Sequence, residues 1–174
     1  MKQSLQTWRN WMMGRAAIPA LLIATLIAAT PASAAEACKL LTAAELEPVA
    51  GKLSPFKSNL AIPDAQMCTA KGPKGTVMLR WARRKKDQKA GSAETQSVEV
   101  AREMGAKVEV KRFGPITCST FIPPQSMKQA APNTTCSVTK GDEVAAVEIT
   151  AKNPKDMVPI DKLRPLAEKL ATRF

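Results

Sequence analysis

Histidine and tyrosine are absent from all 174 positions. Without histidine, no Ser-His-Asp or Cys-His nucleophile arrangement can be assembled. Histidine-ligated zinc, copper or haem sites are excluded as well, and so is a switch driven by imidazole protonation. Aromatic residues make up only 4% of the chain, so the stacking platform that single-strand nucleic-acid binders add to a positive groove is missing. There is no glycine-rich phosphate loop, no G-x-S-x-G elbow and no C-x-x-C pair. No two carboxylates stand out as an acid/base couple. No catalytic residue, metal ligand or cofactor is expected on these grounds. The one enzymatic alternative left is a histidine-free site of carboxylates, lysines and hydroxyls.

What is present first is an export signal over residues 1–34. Lys2, Arg9 and Arg15 form a basic opening with no acidic residue, residues 16–29 are apolar, and Ala32-Ser33-Ala34 is a small-x-small cleavage site that would leave Ala35 as the new N-terminus. A membrane-spanning helix needs about 20 apolar residues, and this run is shorter and holds Pro19. No membrane span is expected after cleavage. The mature chain is long enough for one domain with a real core. It keeps 23 of the 26 basic residues and all 15 acidic ones, a net charge of +8. These features point to a periplasmic or secreted bacterial protein.

The cysteines are Cys38, Cys68, Cys118 and Cys136. An even number in an exported chain reads as two disulfides. Of the three possible pairings, Cys38–Cys68 and Cys118–Cys136 each close within one half of the chain and are preferred. A site binding metal through all four thiolates would need close cysteine pairs, which are missing.

Thr42-Ala43-Ala44-Glu45 is a capping box, flanked by Leu41 and Leu46 as a hydrophobic staple and closed by Gly51. It predicts a helix over about 43–50, with Pro48 inside it. Residues 54–67 read as an irregular connection with an edge segment. Residues 76–84 alternate as a strand with Val77, Leu79 and Trp81 on one side. Residues 83–91 read as a mobile loop. A helix follows over 92–105 with an apolar face of Val98, Ala101 and Met104, near Val100, and a strand over 107–113 with Val108 and Val110 inward. Strands are predicted over 116–122, 134–140 and 143–152, the last two joined at Gly141-Asp142. A final amphipathic helix starts near 159–161 and runs to about Arg173, with Ile160, Leu163, Leu166, Ala167 and Leu170 on one face, and Pro165 suggests regular helix from about Lys162. Together these give a single α+β domain, an antiparallel sheet with helices packed on at least one face.

The opening Cys38-x-Leu40-Leu41-Thr42-x-x-Glu45-Leu46, followed by Gly51 and a second cysteine, resembles small exported bacterial proteins and lipoproteins of unassigned function. The resemblance covers residues 38–51. It implies a disulfide-paired α+β domain ending in a helix, and it carries no catalytic residues. Ala35-Glu36-Ala37 ahead of Cys38 does not look like a lipidation site, so no lipid anchor is expected.

Charge is the strongest functional feature. Residues 71–89 hold Lys71, Lys74, Arg80, Arg83, Arg84, Lys85, Lys86 and Lys89 against the single acid Asp87. Lys107, Lys111 and Arg112 would join them if the strands pair. The segment reads either as an anion-binding surface or as a solvated loop. The expected partner is an anionic envelope component or an acidic protein, held without catalysis; nucleic acid is disfavoured by export and by the missing aromatics. The alternative is a structural or inhibitory envelope protein that uses another face.

Overall fold

The computed structural model describes residues 36–84, 92–127 and 129–174. The export signal over 1–34 lies outside the described residues. After a short 3-10 turn, Ala37–Lys39, the elements are α1 (Ala43–Ala50), β1 (Lys57–Ile62), β2 (Ala65–Lys71), β3 (Gly75–Arg83), α2 (Ser92–Glu103), β4 (Lys107–Phe113), β5 (Ile116–Ile122), β6 (Asn133–Lys140), β7 (Glu143–Ala151) and α3 (Ile160–Leu170). The strands form one sheet in the order β1-β2-β3-β7-β6-β5-β4, with every neighbouring pair antiparallel. Two meanders, β1-β2-β3 and β4-β5-β6-β7, are thus joined where β3 pairs β7 from Gly75↔Ala151 to Arg83↔Glu143. Sheet dominates, so the α+β description fits only roughly. Among the described residues no helix is long and apolar enough to cross a membrane.

The core lies under one face of the sheet. Val77, Leu79 and Trp81 of β3 meet Ala145, Val147 and Ile149 of β7, all buried, as the alternation of β3 required. On this face α3 buries Ile160, Leu163, Leu166, Ala167 and Leu170. Burial stabilises by about 1.5–3 kcal/mol for each large aliphatic side chain, which makes α3 the main clamp on the sheet. The capping box forms as read: the Thr42 hydroxyl accepts from the Glu45 N–H at 3.3 Å, and the Glu45 carboxylate accepts from the Thr42 N–H at 3.0 Å. Leu41 and Leu46 beside it are fully buried.

Both disulfides form as preferred, Cys38–Cys68 and Cys118–Cys136. The second joins directly opposed residues of β5 and β6. All four thiols are consumed, which rules out the four-thiolate metal site. Each loop closure stabilises by about 3 kcal/mol through the unfolded chain.

Four expectations are corrected. Residues 57–71 are a hairpin, β1-β2, where 54–67 was expected to be an irregular connection with an edge segment; the edge segment is there as β1, the outermost strand. All six β1 residues are exposed, so no alternation marked the strand, and Pro63-Asp64 is the turn between the two arms. The apolar face of α2 is not core: Val100 and Met104 are exposed, because the main neighbour of this helix is the edge strand β4. Val108 and Val110 point to the face away from the core, since Val110 pairs Ser119 while Lys111 pairs the buried Cys118. Alternation identifies two faces but not which of them is covered. Finally, α3 starts at Ile160, within the expected 159–161, but it is regular helix from there and not only from about Lys162, with Pro165 inside it. The carbonyl that Pro165 leaves without a donor belongs to the exposed Asp161, where water can take the bond.

Candidate functional site

The basic segment divides between the two ends of β3. At the C-terminal end the cations are engaged. Arg80 pairs with Glu148 at 3.0 Å. Arg83 meets Glu143 at 3.0 Å and Asp142 at 3.7 Å, and its guanidinium lies 5.8 Å from the Trp81 ring centre. The carboxylate of Glu143 raises the Arg83 pKa further. Arg84 donates its backbone N–H to Asp142 O at 2.7 Å, and its guanidinium donates to the Gly141 carbonyl. Lys85, Lys86 and Lys89 lie outside the described residues. Lys107, Lys111 and Arg112 do not join this group, because β4 is the opposite edge strand, four strand spacings or roughly 19 Å from β3.

At the N-terminal end of β3 the lysines have no acid partner among the described residues. Lys71 closes β2, and Lys74 sits in the Gly72-Pro73-Lys74-Gly75 turn. Because β3 and β7 are antiparallel, this turn lies beside the end of β7, where Lys152 and Lys155 follow. Lys162 comes from the first turn of α3. Among the described residues none of Lys71, Lys74, Lys152, Lys155 and Lys162 forms an ion pair, and all five are exposed. The sequence reading found the first two and missed the other three. Lys152-Asn153-Pro154-Lys155 carries no motif, and only the β3–β7 pairing brings it to Lys74.

The frame holding these lysines is tightly specified. Gly72 N–H donates to Gly75 O at 2.8 Å across the turn, and Lys152 N–H donates to Lys74 O at 3.2 Å. At Gly75 a side chain cannot fit, since a Cβ would lie 1.8 Å from Thr150 O. Thr134, the one buried polar side chain among the described residues, donates to Val158 O at 2.6 Å and fixes the chain entering α3.

Two cavities flank the turn. One of about 190 Å³ lies on the helix side, walled by Pro48, Val49, Val158 and Pro159, with Lys74, Lys155 and Lys162 at its rim. Its acid, Asp156, is bonded to Asn153 Nδ2 at 2.9 Å. No side-chain hydrogen bond caps the α3 N-terminus beside it, and Asp161 in its first turn offsets part of the positive end of the helix dipole. The other, about 330 Å³, lies where Thr76 and Thr150 face away from the core, with Lys71 and Lys152 at its rim. This arrangement can hold negative charge. Among the described residues no group of three or more cysteine, aspartate or glutamate side chains is placed to hold a metal. Compared with protein-family models, curated proteins and solved structures, the chain matches none of them.

Proposed function

We propose that the mature chain is an exported, non-enzymatic binding domain that holds an anionic envelope component or an acidic protein at the lysine end of its sheet. The observation that carries the reading is the convergence, at one end of the sheet, of five lysines without ion-pair partners among the described residues. Cations without partners keep their charge available, whereas a guanidinium already in a carboxylate pair must give up that pair to bind anything else. Export is supported by two disulfides in a chain with no free cysteine.

The test compares oxidised mature protein with Lys74→Gln/Lys155→Gln/Lys162→Gln for binding to anionic envelope extract. Removing three lysines should weaken binding at least tenfold. Equal binding by the two proteins contradicts the reading. Mass spectrometry of the secreted or periplasmic fraction should find a chain beginning at Ala35.

A further inference from the structure

Resting on that anion-binding reading, we propose that the ligand is a linear polyanion with closely spaced oxyanion groups, which crosses the Gly72–Gly75 turn from one face of the sheet to the other. The two cavities lie on opposite sides of the sheet end. Pro48, Val49 and the α3 N-terminus wall the first. The second sits on the face turned away from α1 and α3, because Thr76 alternates with the buried Val77 and pairs with Thr150. A compact anion fills one of them. A chain reaches both.

The saddle between them is rigid. It is pinned by the Lys152–Lys74 backbone bond and by the close approach of Gly75 to Thr150. Pro73 also lies close to Gly51, which caps the end of α1: a Cβ there would be 2.8 Å from Pro73 Cγ. All five cations of this cluster are lysines. A lysine is a point charge on a flexible stem that follows charge density, whereas arginine's planar fork selects one carboxylate or phosphate geometry. Repeating charges along a chain suit the former.

A membrane surface fits less well. Membrane docking places apolar anchors beside the basic cluster. Here the exposed Leu60 and Ile62 lie toward the Pro63-Asp64 turn, at the Arg83 end of the sheet, where Arg83 N–H donates to Asp64 O.

The experiment uses oxidised mature protein with inorganic triphosphate, long-chain polyphosphate and anionic phospholipid vesicles. It compares Lys71→Gln/Lys152→Gln with Lys155→Gln/Lys162→Gln. Either pair should weaken long-chain binding about tenfold, while triphosphate should respond to one pair at most. Polyglutamate of matched length in place of polyphosphate assigns the groups as carboxylates, and the two-face dependence is required of whichever chain binds. The proposal is overturned if long chains depend on one pair only, or if vesicles bind and long chains do not. Failure of all these anions to bind at low salt removes the anion-binding reading itself, an outcome distinct from loss of the two-face dependence.

Discussion

The two ends of β3 use positive charge in opposite ways. At one end Arg80, Arg83 and Arg84 meet Glu148, Glu143, Asp142 and the Gly141 carbonyl. At the other, Lys71 and Lys74 join Lys152, Lys155 and Lys162 without a carboxylate pair among the described residues. This strand is nine residues long and spans roughly 27 Å. A basic run in a sequence is therefore not one surface. Its charge is structural where carboxylates face it and available where they do not.

The largest expected effect is on the frame of the lysine end. Gly75→Ala forces a Cβ into Thr150 O and should cost about 2–4 kcal/mol in urea unfolding, as close-packed backbone sites do. A loss under about 0.5 kcal/mol would show that the turn relaxes freely and that the saddle is not rigid.

A third charged group extends the comparison. Arg173 holds Glu45 through two contacts of 2.7 Å, with Lys169 at 3.2 Å. The Arg173 guanidinium, and then the Thr42 N–H, keep the Glu45 carboxyl well below the usual carboxylate range. A carboxylate depressed in the fold stabilises fully above its unfolded pKa of about 4.3, and the contribution is lost as pH falls through the lower folded value. Glu45→Gln should cost about 1 kcal/mol, after allowance for solvent screening, unchanged from pH 7 to 5. The gap between variant and wild type should then narrow below about pH 4. A gap that widens with acid would contradict the sign.

Neutralising the paired end should matter less. Arg80→Gln/Arg83→Gln/Arg84→Gln should lower the melting temperature slightly and leave polyanion binding within about twofold, because Arg80 and Arg83 are met by carboxylates and Arg84 is held at the Gly141 carbonyl. Loss of binding in this variant would move the site to the other end. The smallest effect is expected from Glu143→Gln, which releases Arg83 from its carboxylate. Polyanion binding should rise by no more than about twofold at low salt and return to the wild-type value at high salt. An unchanged value at low salt would show that Asp142 alone keeps Arg83 occupied.

Local features were legible in the sequence. The capping box at Thr42, the alternation of β3, the Gly141-Asp142 hairpin and the stripe from Ile160 to Leu170 each arise from residues a few positions apart. So do the closure ranges that favoured the two disulfides. What stayed hidden depends on long-range pairing. Nothing in Val77-Met78-Leu79 names Val147 as a neighbour, yet that register carries Lys152 to Lys74. β1 was legible only as an edge segment, not as one arm of a hairpin, because a strand exposed on both faces has no period to read. Of the eight basic candidates, Lys71 and Lys74 fall at the lysine end, Arg80, Arg83 and Arg84 at the paired end, and Lys85, Lys86 and Lys89 outside the described residues.

The claim that availability of charge, not its density in sequence, sets binding is tested most directly by salt titration. Polyphosphate affinity is measured from low to physiological ionic strength for wild type, the Lys74→Gln/Lys155→Gln/Lys162→Gln variant and the Arg80→Gln/Arg83→Gln/Arg84→Gln variant. Counterion release predicts a logarithmic salt slope about two smaller in the lysine variant and nearly unchanged in the arginine variant. Equal slopes in all three proteins, or a smaller slope only when the arginines are removed, would contradict the account.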